Sequence, residues 1–218
     1  VGTRYMGRIN QPLTNEAAKK LMALDVQDQE RLTYEKLDEW YTAWGGRCYV
    51  SFSGGKDSTV LAYLAARYLS SFRTTPWELN LVFVNTGLEY PEIQKFVNEY
   101  ADWLRREFPR VTVNLHRLRP KMNIWQVVTK YGYSIVGKDV AHRIETARRS
   151  PESRSMKLLR GEVLRSDGEK SMYNCEKWEY LLLAPFLISD KCCGIMKKSP
   201  SKSYERRADV KPTTATMA

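Results

Sequence analysis

The run Cys48-Tyr49-Val50-Ser51-Phe52-Ser53-Gly54-Gly55-Lys56-Asp57-Ser58 leaves this chain few ways to fold. Five β-prone residues lead into a Gly-Gly pair, and a helical pattern with Val60, Leu61, Leu64 and Ala65 on one face follows at once. A strand, a glycine turn and a helix without a linker form the first half of a β–α–β unit. The unit then recurs. Leu79 to Val84 is a nearly continuous apolar strand, as expected of a strand covered on both faces. A helix is expected from Pro91 to about Phe108, with Pro91 suited to its first turn, and a third strand from Val111 to Leu115. The expected fold class is α/β, with a doubly wound, mostly parallel sheet.

Around this centre the pattern is less regular. Residues 1–14 read as an irregular basic lead-in, and Asn15 to Trp44 as helical up to Gly45-Gly46. We therefore expect an N-terminal helical extension over 1–46 and a sheet domain over 47–218. Beyond Asn123 the expectations are a helix over Ile124 to Lys130 and a basic helix over Ala141 to Leu159, interrupted at Ser150-Pro151. Ser189 or Asp190 would cap a short helix running through Met196 and stopping before Pro200. Thr213 to Met217 reads as a fourth strand, and its place at the end of the chain suggests a truncated sequence.

The chain has 218 residues, 43% of them hydrophobic, enough for a sizeable core. Its longest apolar run, Leu181 to Ile188, is too short to span a bilayer and contains Pro185. No secretory pattern opens the sequence, so a cytoplasmic protein without a membrane partner is expected. The formal charge of +10 favours polyanionic partners, nucleotide and nucleic acid, or else reflects a solvated basic surface. The densest basic stretch holds Arg143, Arg148, Arg149, Arg154, Lys157, Arg160 and Arg165, diluted by Glu145, Glu152 and Glu162. Cys48, Cys175, Cys192 and Cys193 are read as reduced thiols. His116 and His142 have no ligand spacing around them.

The chemistry concentrates at Ser53 to Ser58. Ligands of open α/β sheets sit beyond the carboxyl ends of the strands, where this turn falls. Gly54 and Gly55 let backbone amides approach phosphate oxygens, and the following helix turns its positive end to the anion. Ser53 and Ser58 offer hydroxyls, and Lys56 a point charge. A carboxylate beside a polyphosphate calls for a cation between them, so Asp57 is the expected Mg²⁺ ligand. Lys56 and Asp57 are the candidate catalytic residues. A Walker A loop is excluded, because Val50 stands where its first glycine belongs and Asp57 follows the lysine.

The hexapeptide resembles the PP-loop of the N-type ATP pyrophosphatases, and the wider match is to the phosphoadenosine-phosphosulfate reductase family. Val82-Phe83-Val84-Asn85-Thr86-Gly87-Leu88-Glu89-Tyr90-Pro91-Glu92 is similar to that family's strand-end motif, and Lys191-Cys192-Cys193-Gly194-Ile195-Met196-Lys197 to its Cys-Cys-x-x-x-Lys segment. Together these cover the chain from about residue 47 to its end. The resemblance implies an adenine nucleotide alpha hydrolase-like fold and an adenine nucleotide ligand, either ATP or an adenylyl sulfonucleotide. Thr86, Gly87 and Glu89 would border its ribose side. It also makes Cys192 and Cys193 candidate ligands of a [4Fe–4S] cluster in the intact protein. A redox-active or structural pair stays open beside that, since a cluster needs about four thiolates.

The chain departs from the family in lacking a Glu-Cys-Gly-type tail and a distant Cys-x-x-Cys, and in keeping the PP-loop intact where family reductases have a degraded one. These departures favour an ATP user that activates an acceptor for sulfur transfer, with a thiol or sulfur-donor protein as partner. Its DNA phosphorothioation and tRNA thiolation relatives make nucleic acid a candidate acceptor. Thiol-dependent reduction of adenylyl sulfate or 3′-phosphoadenylyl sulfate is the alternative, and a non-catalytic nucleotide- or nucleic-acid-binding module the third.

Overall fold

The computed structural model describes residues 14–72 and 78–215, so the lead-in over 1–13 and the last two positions of the expected fourth strand lie outside the described residues. In chain order the elements are α1 (Asn15–Met22), α2 (Val26–Ala43), β1 (Cys48–Ser51), α3 (Lys56–Phe72), β2 (Glu78–Val84), α4 (Pro91–Glu107) and β3 (Thr112–Leu118). Next come α5 (Ile124–Tyr131), α6 (Lys138–Arg149), α7 (Arg154–Leu159), a 3₁₀ helix (Glu176–Leu183), α8 (Lys191–Cys193), a π turn (Gly194–Lys198), α9 (Ser199–Ala208) and β4 (Lys211–Thr213). The chain divides into two compact units, Val1–Arg119 with Ser201–Ala218, and Pro120–Pro200. Among the described residues no helix is long and apolar enough to cross a membrane.

In the first unit the sheet is parallel throughout, with order β3-β2-β1-β4. Pleating sends alternate residues to opposite faces. Cys48, Val50 and Phe52 of the first strand and its exit join Leu79, Leu81, Phe83 and Val113 in the main core, which α3 and α4 cover with Ala62, Ala65, Val97 and Ala101. Tyr49 and Val82 face the other way and meet Tyr204 of α9. The Tyr49 hydroxyl donates to Glu205 at 2.8 Å, and the Tyr204 ring crosses that of Tyr49 edge-on at 5.6 Å. The α/β doubly wound reading therefore holds. The strand order also puts β2 on one side of β1 and β4 on the other, which makes the carboxyl end of β1 a topological switch point.

Two expectations change at the sheet's periphery. The helical stretch from Asn15 to Trp44 is two helices, because the Asp25 carboxylate accepts from the Asp28 amide at 2.8 Å and starts α2 afresh. Leu37 and Tyr41 of α2 are buried in the sheet's core. The fourth strand lies earlier than the sequence suggests, at Lys211–Thr213, paired as Cys48↔Lys211 and Val50↔Thr213. Its edge position admits Pro212. The Lys211 amide donates to Arg47 O at 2.9 Å, and one residue on the backbone nitrogen faces away from β1, so a missing N–H costs nothing there.

The second unit is built of short helices around Ala141, Ile144, Ala147, Met156, Leu159, Cys175, Leu181 and Ile188. The basic helix is indeed interrupted near Ser150, into α6 and α7. Arg148, read above with the basic surface, is instead a clamp. Its guanidinium donates to the carbonyls of Leu181 (2.6 Å), Leu182 (3.1 Å), Ala184 (2.9 Å) and Phe186 (2.7 Å). Five N–H groups in a rigid fork suit this task, since a segment that leaves the 3₁₀ helix has carbonyls without helical partners. Arg143 likewise donates to Tyr173 O at 2.7 Å, and Arg149 pairs with Glu145.

The helix expected to stop before Pro200 continues through it to Ala208. Proline removes one amide and crowds the carbonyl four residues back. That carbonyl belongs to Met196, inside the π turn, where the widened backbone accommodates the ring. Gly132 (φ 109°) packs so closely on Leu187 that a Cβ would stand 2.6 Å from its carbonyl group, and the Tyr133 amide donates to Leu187 O at 2.8 Å.

Replacing Arg148 by Met keeps the aliphatic stem and removes the side-chain donor from all four carbonyls, leaving Leu181 O with the Ala184 amide at 3.2 Å. We expect it to destabilise the second unit by about 2–3 kcal/mol, read by urea unfolding followed with hydrogen exchange over residues 181–186. Exchange protection equal to that of the wild type would refute the clamp.

Candidate functional site

The site begins where β1 ends. The Phe52 amide donates to Val82 O at 2.9 Å, so the sheet continues to the brink of the turn. The chain then reverses at Gly54, with φ 76°, a conformation that costs a side-chain-bearing residue about 1–2 kcal/mol. A Cβ at Gly54 would also stand 3.2 Å from both Ile93 Cγ2 and Val97 Cγ2 of α4. The glycine is thus favoured twice, by its backbone angle and by the helix packed against it.

Ser58 holds the turn from within. It is only 7% exposed; its Oγ accepts from the Ser53 amide at 3.2 Å, donates to Gly55 O at 2.9 Å and lies 3.1 Å from Ser53 Oγ. Ser53 Oγ accepts from the Gly55 amide at 3.3 Å, and Thr59 Oγ1 donates to Gly55 O at 3.0 Å. The loop is therefore organised by its own hydroxyls. The opening amides of α3 have no intrahelical acceptor, a general property of helix starts. Lys56 and Asp57 are exposed, and neither is in an ion pair among the described residues.

Beside this turn, at the end of β2, Asn85 to Glu89 forms a second built turn. The Thr86 amide and hydroxyl both donate to the Glu89 carboxylate, at 2.8 and 2.7 Å. The Gly87 amide donates to Asn85 Oδ1 at 2.9 Å, and Asn85 Nδ2 donates to Gln94 Oε1 at 2.8 Å, tying the turn to α4. Thr86 is buried, whereas Gly87 (φ 83°) is exposed with nothing within 4 Å of a Cβ. The parallel pairing Ser51↔Val82 brings the two turns together at one sheet edge. Gln94 gave no sequence signal, because its role depends on where α4 returns.

Cys192 and Cys193 belong to the second unit and are half-exposed, whereas Cys48 and Cys175 are buried. Burial pushes the Cys48 thiol up to about 12, as expected of a small core residue. The Lys191 ammonium, beside the pair in sequence, is held by Glu145 at 2.5 Å and over the Tyr131 ring at 5.7 Å. Among the described residues no three His, Cys, Asp or Glu side chains gather as a metal site. Two adjacent thiols do not supply the four thiolates of a [4Fe–4S] cluster. A single carboxylate does fit Mg²⁺, which retains waters and takes its other ligands from substrate phosphates.

A parallel α/β sheet with a glycine turn at its switch point defines the class, a doubly wound domain with its candidate site at the strand ends. The phosphoadenosine phosphosulfate reductase domain profile matches residues 47–211, and the chain belongs to that family. The uncharacterized protein MJ0973 of Methanocaldococcus jannaschii is 28% identical over 110 residues, 49% of this chain and 23% of that protein. The uncharacterized protein MJ0066 of the same organism is 33% identical over 100 residues, 46% of this chain and 16% of that protein. The chain thus spans less than a quarter of the length of either relative.

Two outcomes are expected. Ser58→Ala strips the Ser53 amide of its acceptor and should cost about 1–2 kcal/mol in urea unfolding. In the native protein an alkylating reagent should modify Cys192 and Cys193 and reach Cys48 and Cys175 only after denaturation, as read by mass spectrometry.

Proposed function

We propose that this chain binds ATP with Mg²⁺ at Ser53–Ser58 and cleaves it to AMP and pyrophosphate, activating an acceptor for sulfur transfer. The observation that carries this reading is the intact glycine turn with Lys56 and Asp57 exposed there and in no ion pair among the described residues.

In the proposed reaction an acceptor oxygen attacks the α-phosphorus. The bond to the α–β bridging oxygen breaks, and pyrophosphate departs with the electron pair. The backbone amide of Gly54 and the opening turn of α3 would face the charge that grows on the leaving group. Lys56 adds a mobile positive charge there. Asp57 would hold the Mg²⁺ ion, which when bound neutralises phosphate charge. Asn85 to Glu89, pinned by the Thr86–Glu89 bonds, would present the exposed Gly87 backbone to the ribose side. The protein's work is positioning and charge neutralisation, and phosphoryl-type transfers need little more.

Reduction of an adenylyl sulfonucleotide is the second reading, supported by the half-exposed Cys192-Cys193 pair. Titration calorimetry separates the two. We expect ATP to bind more tightly with Mg²⁺ than without, and Asp57→Ala to remove that gain, about tenfold or more in affinity. Preferential binding of 3′-phosphoadenylyl sulfate, indifferent to Mg²⁺ and to Asp57→Ala, would overturn the ATP reading in favour of the reductase.

A further inference from the structure

At the end of α3 away from the glycine turn, the first unit carries a recess of about 530 Å³, within the range of ligand sites. Lys56 and Phe72, the two ends of that helix, are about 24 Å apart along its axis. The recess is therefore remote from the residues proposed to hold the nucleotide. One wall is a stripe of α2 made of Arg31, Tyr34, Glu35, Asp38 and Glu39, a spacing that puts them on one helical face. The other is the last turn of α3, with Tyr68 and Phe72. The α2 wall precedes residues 47–211 and so lies outside the part of the chain that matches the family.

Two properties of the lining narrow the occupant. The first is charge. Three carboxylates line the recess against one guanidinium, in a chain whose formal charge is +10. Arg31 pairs with Glu35 at 3.1 Å and Asp28 at 3.2 Å, and Lys36 with Glu39 at 3.0 Å, but exposed pairs of this kind exchange partners at little cost. No residue in the last turn of α3 is basic, so the negative end of that helix adds to the field. The second property is aromatic surface. The ring centroids of Tyr34 and Phe72 are 5.3 Å apart, those of Tyr68 and Phe72 6.1 Å, and those of Tyr34 and Tyr68 6.3 Å. Tyr68 is buried and its hydroxyl donates to Asp38 at 2.6 Å, which fixes the floor, whereas Phe72 is 62% exposed.

An anion would be repelled by the carboxylates and the helix end. A divalent metal ion fits poorly, since among the described residues no three His, Cys, Asp or Glu side chains gather as a metal site, and aromatic rings give such an ion no oxygen ligand. An organic cation suits both properties. A guanidinium suits them better than an ammonium, because it is planar, stacks on a ring, bonds a carboxylate through two N–H groups and is more weakly hydrated. The α-carboxylate of free arginine would meet the same negative charge, so the side chain is best presented within a peptide. We infer that this recess is an interaction site for an arginine side chain of a partner protein, with its guanidinium on the Phe72 ring and against the Glu35 and Glu39 carboxylates. The inference goes beyond the nucleotide reading and does not rest on it.

The test uses the whole chain and two separate titrations, the blocked tripeptide acetyl-Gly-Arg-Gly-amide followed by amide NMR shifts, and Mg·ATP followed by calorimetry. We expect saturable shifts from the peptide, centred on residues 31–39 and 68–72. Phe72→Ser and Glu39→Gln, both outside the buried core, should each weaken peptide binding about fivefold or more, with melting curves as the check on folding. Phe72→Trp keeps an aromatic face and should retain binding. The lysine counterpart of the peptide should bind several-fold more weakly, and free arginine more weakly again. Mg·ATP affinity should stay within about twofold in all three variants, as for sites without shared partners. Absence of saturable shifts, shifts centred elsewhere, or unchanged binding by Phe72→Ser and Glu39→Gln would overturn the site. Equal affinity for the lysine peptide would overturn the guanidinium assignment, and equal affinity for free arginine would overturn the partner protein. Peptide binding with the expected variant pattern, in a protein that binds no ATP, would keep the site and remove the nucleotide reading.

Discussion

The contact of Gly54 with Ile93 and Val97 of α4 is the constraint on which the candidate site depends. At that point the first strand has ended and the chain must reverse within one residue, in a conformation that only glycine adopts without strain. The helix that follows β2 closes over the reversal, so that a Cβ there would crowd Ile93 and Val97. Because α4 is also tied through Gln94 to Asn85, the same helix positions the turn at the end of β2. Two loops from separate strands are thereby referenced to one rigid element, the arrangement a ligand contacting both would need.

Within that frame the division of labour among hydroxyls and charges is clear. Ser58, Ser53 and Thr59 spend their hydrogen bonds on the loop's own backbone. Thr86 and Glu89 spend theirs on each other. The Lys56 ammonium and the Asp57 carboxylate are left exposed beside that ordered backbone. Preorganisation of this kind places the cost of ordering the site in folding and not in binding.

The second unit shows how far charge composition can mislead. Its basic stretch suggests a polyanion surface, yet Arg148 feeds four carbonyls, Arg143 a fifth, and Arg149, Arg160 and Arg165 pair with neighbouring carboxylates. The unit has little regular structure around residues 161–190, so its backbone acceptors need partners from side chains. Arginine supplies them in quantity. Much of this stretch is thus internal scaffolding, and the net charge of +10 overstates the free positive surface here.

The alternation of Cys48, Val50 and Phe52, the Gly-Gly turn and the apolar run over residues 79–84 were sufficient to specify a parallel α/β sheet and to locate its ligand edge. Local periodicity and glycine chemistry are properties of neighbouring residues, and they are legible without a fold. The start of α3, the limits of α4 and the family resemblance were readable for the same reason, whereas α3 runs to Phe72, past the expected end near Tyr68. The start of β4 was not, because Lys211–Thr213 becomes a strand only by pairing with β1, from which it is separated by more than half the chain. Pro200 within a continuing helix, Arg148 as a clamp and the recess that α2 forms with the end of α3 were equally invisible. Each depends on a carbonyl, a loop or a helix brought from elsewhere, and long-range proximity of that kind leaves no periodic trace in the sequence.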